Sequence, residues 1–165
     1  MVIMVFGLPG SGKSYFASRL AQQLDAVYVN SDELRMKLFA KRTYTDSEKM
    51  LVYEAMIEAM TEALSRKMPI LLDATFYKAS LRDKFEHAAN AFKVKIIYIE
   101  VTAPEKIIEE RLKKPRKYSE ASWEVYQQLK ASFEPLVEEH LVLISSDNNI
   151  TSMLHDAIHY INTRQ

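Results

Sequence analysis

An α/β fold, with a parallel sheet covered by helices on both faces, is what this 165-residue sequence predicts, and three observations predict it. Five short apolar runs alternate with stretches of helical periodicity, the pattern of strand–helix–strand crossovers. The second and third runs end in polar residues, Asn30-Ser31-Asp32 and Asp73, at the carboxyl ends where open parallel sheets bind ligands. All three glycines of the chain fall in one loop directly after the first run.

Residues 2–6 are wholly apolar and stop at Gly7, as suits a strand buried on both faces. Residues 14–24 carry Phe16, Leu20 and Leu24 on one helical stripe. A second strand over 26–29 ends at Asn30-Ser31-Asp32, and a brief helix is expected over 33–39. Thr45-Asp46-Ser47-Glu48 matches a capping box, with the Thr45 hydroxyl serving the first turn and Glu48 reaching back. It should open a long amphipathic helix over about 46–66, with Met56, Met60 and Leu64 packing into the core. The third apolar run, 69–73, ends at Asp73. Helix is expected over 80–91, strand over 94–101, and helix over 105–112 until Pro115 interrupts. A further helix is expected over 119–139, a fifth strand over 141–144, a polar loop over 145–149 and a last helix over 152–161. Length and continuity predict one domain over 1–165.

Hydrophobic residues make up 48% of the chain and charged residues 27%, within the range of globular proteins. Lys plus Arg and Asp plus Glu number 22 each, so no global field draws the chain to nucleic acid or to an anionic membrane. The absence of cysteine excludes disulfides, thiolate metal sites and cysteine nucleophiles, and suits a reducing, cytoplasmic setting. The apolar start lacks a basic leader and is too short for a signal peptide, and no later segment is long enough to span a bilayer. His155 and His159, four apart without a third ligand in view, read as a solvated or half-buried pair and not as a metal site.

The loop is Gly7-Leu8-Pro9-Gly10-Ser11-Gly12-Lys13-Ser14, a G-x-x-x-x-G-K-S pattern with a strand before it and a helix after it, and Tyr15 joins it as a candidate nucleotide-binding residue. Glycine lets the backbone turn tightly and bring its N–H groups against phosphate oxygens. Lys13 can reach the β- and γ-phosphates, Ser14 can coordinate magnesium, and the helix amino terminus adds partial positive charge. ATP and Mg²⁺ are therefore the expected ligands. A GTPase would need D-x-x-G and N-K-x-D loops, whereas this chain has Asp73-Ala74-Thr75-Phe76 and nothing like the second. Asp73 can hold magnesium through water or serve as a turn former. Asp32 can take the proton of an acceptor hydroxyl, with Arg35 clamping an anionic part of the same molecule, or Asp32 can simply cap a helix.

Together these residues resemble the small P-loop kinases related to polynucleotide 5'-hydroxyl kinases, zeta-type toxins and gluconate-type kinases. The resemblance covers nearly the whole chain. It rests on GLPGSGKS, on Asn30-Ser31-Asp32-Glu33-Leu34-Arg35, on the run from Ile70 to Phe76 with Arg82 after it, and on Thr102-Ala103-Pro104-Glu105 leading to Arg111. The segment from Ser119 to Pro135 looks like that of AAA-domain-like bacterial ATP-binding kinases. The resemblance implies a three-layer P-loop NTPase fold with strand order 2-3-1-4-5 and a lid at about 111–122. It also implies transfer of the γ-phosphoryl group of ATP to a hydroxyl, with Asp32 as general base and Arg35 contacting the acceptor. Lid arginines would neutralise the transferring group. Family members usually carry a second lid arginine four residues after Arg111, but that position is Pro115 here and the arginine falls at Arg116. Many members also have glycine where this chain has Lys67, a matter of helix capping. The acceptor stays open among a nucleic-acid 5'-hydroxyl, a nucleoside, a nucleotide sugar and a small metabolite. An ATPase or nucleotide-binding switch without an acceptor is the alternative.

Overall fold

The computed structural model describes residues 1–115 and 119–164. Its sheet has five parallel strands, β1 (Val2–Phe6), β2 (Val27–Asn30), β3 (Ile70–Asp73), β4 (Ile96–Thr102) and β5 (Leu141–Ile144), in the order β2-β3-β1-β4-β5 that the resemblance implies. The helices are α1 (Lys13–Gln23), α2 (Ser31–Leu38), α3 (Asp46–Ser65), α4 (Ala79–Asn90), α5 (Glu105–Leu112), α6 (Trp123–Ser132) and α7 (Ile150–Asn162).

β1 is buried at every residue because both of its faces are covered. Side chains alternate across a strand, so Val2, Met4 and Phe6 pack with Met56, Met60 and Phe85 of α3 and α4, while Ile3 and Val5 pack with Phe16 and Leu20 of α1 and Leu154 and Ala157 of α7. Met56 and Met60 are thus core residues, as their spacing suggests. The parallel register sets Val5 beside Asp73 and Asn30 beside Asp73, which gathers the polar ends of three strands at one edge. Among the described residues no helix is long and apolar enough to cross a membrane.

Two expectations need correction. The helix expected over 119–139 is confined to α6, Trp123–Ser132. Ser122 caps its start by accepting from Val125 N–H, and Pro135 biases Glu134 away from helical geometry at the far end. The chain after α6 instead runs along the residues before α4. Glu134 N–H donates to Tyr77 O at 2.8 Å, and the Glu134 carboxylate accepts from Ala79 N–H at 2.6 Å, so it caps α4 from a distant part of the sequence. The buried Arg82 guanidinium donates to Phe76 O and Pro135 O, closing the same junction.

The second correction concerns the capping box. Thr45 Oγ1 accepts from Glu48 N–H at 3.3 Å as expected, but the Glu48 carboxylate does not return to the cap. It accepts from Thr43 N–H at 2.6 Å, from the Thr43 hydroxyl at 2.8 Å and from Arg35 Nη1 at 2.7 Å, tying α2 and the following loop to the first turn of α3. At the other end of α3, Lys67 takes a left-handed φ of 57°, with Met68 N–H closing on Ala63 O.

Burial alone would push the Glu48 carboxyl up, but the bonds from Thr43 N–H, Arg35 and the Thr43 hydroxyl outweigh it and hold the group at about 2. The folded value lies below the ordinary 4.5, so the contribution of this carboxylate to stability is complete above about pH 4.5 and is lost as pH falls through about 2. We expect the urea midpoint of the wild type to fall more steeply across this window than that of Glu48→Gln. Parallel curves for the two proteins would remove this role.

Candidate active site

The loop between β1 and α1 owes its path to two glycines in particular. Gly7 has φ 146°, and a Cβ there would collide with the carbonyl oxygen of Val101 on the neighbouring β4. Gly12 has φ 90°, and a Cβ there would crowd Ser145 Oγ at 3.0 Å and Arg111 Nη1 at 3.2 Å. Glycine satisfies both the torsion and the space. Ser11 is buried with a hydroxyl that has no hydrogen-bond partner, while its carbonyl accepts from Ser145 Oγ. Lys13 and Ser14 open α1, whose first N–H groups lack partners within the helix and give that end a positive potential. Among the described residues no carboxylate lies within 4.0 Å of the Lys13 ammonium.

At the end of β3, Asp73 has no exposed surface. One oxygen, Oδ2, accepts from Asn30 Nδ2 at 2.6 Å and from the Tyr28 hydroxyl at 2.7 Å; the other, Oδ1, is buried and has no partner. Burial pushes the Tyr28 phenol up, and the adjacent Asp73 carboxylate adds to it, so Tyr28 stays a donor. Asn30 Nδ2 also reaches Ser14 Oγ at 3.3 Å. The same side chain caps α2, its Oδ1 accepting from Asp32 N–H at 3.0 Å and Glu33 N–H at 2.9 Å. The cap that the sequence offered to Asp32 therefore belongs to Asn30, which is also why α2 begins at Ser31 and not near residue 33. Asn30 was missed as a site residue; its place at the polar end of a strand, two residues before Asp32, was the available signal.

A cavity of about 710 Å³ opens over the loop. Gly10, Gly12, Lys13 and Ser14 form one end, and Ser146, Asn149, Ile150 and Met153 after β5 form part of its wall. Tyr15 also lines it, half-exposed, with the Arg19 guanidinium 3.4 Å from its ring centroid. Arg111, on the last turn of α5, donates to Gly10 O at 3.2 Å and to Ser145 Oγ at 2.8 Å, and pairs with Asp147 at 3.3 Å. Arg116 lies outside the described residues.

A second cavity of about 450 Å³ adjoins the first, and Lys13 and Asp32 line both. Pro9, Arg35, Tyr44, Tyr77 and Lys78 are among its other walls. Arg35 is buried, neither solvated nor a free clamp: Nη1 is taken by Glu48, Nε has no partner, and the guanidinium lies 4.9 Å from the Tyr44 ring. Of the sequence-assigned residues, Lys13 and Ser14 stand at the loop, Asp73 is linked to Ser14 through Asn30, and Asp32 lines both cavities. Leu8 lines neither cavity.

The donor set fits magnesium in kind, since a Ser14 hydroxyl and a buried carboxylate oxygen without a partner are hard oxygen ligands beside a phosphate loop. Among the described residues no cluster of three or more acidic, histidine or cysteine side chains forms a self-sufficient metal site, which leaves water and phosphate to complete any magnesium shell.

Several solved structures share this architecture. A sugar kinase from Janibacter sp. HTCC2649 matches with a TM-score of 0.76 at 16% identity, covering 98% of this chain and 94% of that one. The APS kinase CysC of Mycobacterium tuberculosis, in complex with AMPPNP and APS, matches at 0.74 and 17%, covering 98% and 96%. Kti12 of Chaetomium thermophilum, in complex with ADP-AlF3, matches at 0.73 and 21%, covering 96% and 97%. No curated protein matches in sequence. The fold is thus that of P-loop NTPases, as the resemblance implies. The family described as AAA domain matches residues 2–136, most of the chain, and the protein belongs to that family.

Proposed function

We propose that this protein is a kinase that transfers the γ-phosphoryl group of Mg-ATP to a hydroxyl of a second substrate. The observation that carries this reading is the pair of adjoining cavities with Lys13 and Asp32 in the wall of both. A nucleotide switch needs one pocket; a transferase needs two that meet at a charged boundary. Structural neighbours holding AMPPNP or ADP-AlF3 support the choice of nucleotide.

In this reading the triphosphate lies along Gly10, Gly12, Lys13 and Ser14, with backbone N–H groups and the Lys13 ammonium on its oxygens. Leu8, Pro9, Ser11 and Tyr15 shape the same loop. Magnesium, when bound by Ser14 and, through water, by Asp73, offsets phosphate charge. The acceptor hydroxyl enters from the second cavity. Its oxygen bonds to the γ-phosphorus as the bond from that phosphorus to the β,γ-bridging oxygen breaks; the electron pair leaves with ADP, and the hydroxyl proton passes to Asp32. Arg35 contacts the acceptor from its anchor on Glu48. Arg111 neutralises the moving phosphoryl group, and Arg116 belongs to the same proposed lid over about 111–122. A cytoplasmic setting is part of this proposal.

Incubation with γ-labelled ATP and a panel of oligonucleotides, nucleosides, sugars and nucleotide sugars tests the reading. Label should appear on a hydroxyl of one class; label released only as inorganic phosphate with every class would favour the ATPase alternative.

Two carboxylates should fail differently. Asp32→Asn should leave Mg-ATP affinity nearly unchanged while transfer falls by about two to four orders of magnitude. Asp73→Asn should raise the magnesium concentration needed for activity, measured by turnover against magnesium. Full turnover by Asp32→Asn would contradict the assigned base.

Arg111→Ala should lower turnover by about a hundredfold and weaken ATP binding less, because its charge acts mainly on what develops during transfer. Equal losses in kcat and ATP affinity would make it a binding residue only.

A further inference from the structure

We infer that the second cavity takes a monomeric, ring-bearing hydroxyl compound that carries a phosphomonoester, and that Lys49 and Lys78 read the phosphate. The inference rests on the kinase reading and specifies its acceptor.

Charge is the first argument. Arg35, the cation that the family resemblance assigns to the acceptor, is held at 2.7 Å by a carboxylate that stays ionised down to about pH 2, so its charge is already balanced. The balance is different for the two lysines. Among the described residues, the one carboxylate that Lys49 Nζ reaches is that of Asp46, at 3.5 Å, and it is 92% exposed, a weak pair in water. Among the described residues no carboxylate lies within 4.0 Å of Lys78 Nζ. Yet the two ammonium groups converge on one ring, 5.9 Å and 5.5 Å from the Tyr77 centroid, from helix α3 and from the residue before α4. Both line the second cavity. Lys49 is half-buried and Lys78 exposed, and a dianionic phosphomonoester within reach of both would gain two charge-assisted contacts.

Shape is the second argument. Tyr53 and Tyr77, both largely buried, and Tyr44 give the cavity flat walls suited to a sugar or base ring. Its volume of about 450 Å³ suits one small molecule. The wall that contains Tyr44 and Glu120 is bridged, with Arg42 Nη2 donating to Glu120 Oε1 at 2.6 Å and the Tyr44 hydroxyl donating to Oε2 at 2.5 Å. This bridge joins the loop before α3 to the segment leading into α6, and a polynucleotide running out on that side would have to break it. Zero formal net charge likewise gives a polyanion no general attraction.

Binding of D-ribose, D-ribose 5-phosphate, inorganic phosphate and a 5'-hydroxyl dodecanucleotide to the ADP-loaded protein tests this by calorimetry. Ribose 5-phosphate should bind at least about tenfold more tightly than ribose, a charge-assisted gain, and inorganic phosphate should compete with it. The double variant Lys49→Met/Lys78→Met should erase the preference, with retained ADP binding reporting that it is folded. Failure of ribose 5-phosphate and phosphate to bind, an unchanged preference in the double variant, or tighter binding of the dodecanucleotide would overturn the inference. Label transfer from ATP to an uncharged hydroxyl compound would keep the kinase reading and remove this one; loss of ATP binding by the wild type would remove both.

Discussion

A buried carboxylate at the end of β3 is the constraint around which the carboxyl edge of the sheet is arranged. An isolated charge without exposed surface costs several kcal/mol, so Asp73 has to be met by donors that the fold supplies. Asn30 and Tyr28 supply them on Oδ2, and β2 can do so only because its register sets Asn30 directly beside Asp73. A slip of one residue would turn both side chains to the opposite face of the sheet. Asn30 then spends its other amide atom on capping α2, and its Nδ2 also touches Ser14. One side chain thereby fixes the start of the helix that carries Asp32, the hydroxyl at the start of α1 and the carboxylate at the end of β3.

A second constraint works from the other side of the loop. The turn passes so close to β4 that Val101 O leaves no room for a Cβ at Gly7, and Ser145 and Arg111 would crowd one at Gly12. Ser145 donates to Ser11 O and accepts from Arg111, which in turn donates to Gly10 O. The phosphate loop is therefore clamped between a strand end and a helix end, with Arg111 held against it. Preorganisation of this kind lowers the cost of ordering charge around a polyphosphate.

Much of this was legible in the amino-acid sequence, for physical reasons. The central strands are buried on both faces and so appear as unbroken apolar runs, and the three glycines mark the one place where backbone must approach phosphate. Asp73 was legible because it ends such a run. What periodicity could not show was tertiary substitution for local bonds. Glu48 has the spacing of a capping box, yet its carboxylate finds better donors in Thr43 and Arg35. Residues 133–139 have helical composition, yet Pro135 and the docking of Glu134 on Tyr77 and Ala79 draw them away. Arg35 looked like a free clamp for an anionic substrate because its partner lies thirteen residues away on another helix. The cap that Asp32 offered as an alternative to a base comes from Asn30, two residues earlier.

The proposed chemistry follows from position more than from any single group. Lys13 and Asp32 stand where two cavities meet, one walled by the phosphate loop and the other by tyrosines and lysines. The most direct measurement is a crystal structure with magnesium and a non-hydrolysable ATP analogue. The account predicts a triphosphate along Gly12, Lys13 and Ser14, its γ-phosphate turned toward Asp32 and the second cavity left open for an acceptor. A nucleotide whose base fills the second cavity, or whose γ-phosphate points away from Asp32, would contradict it.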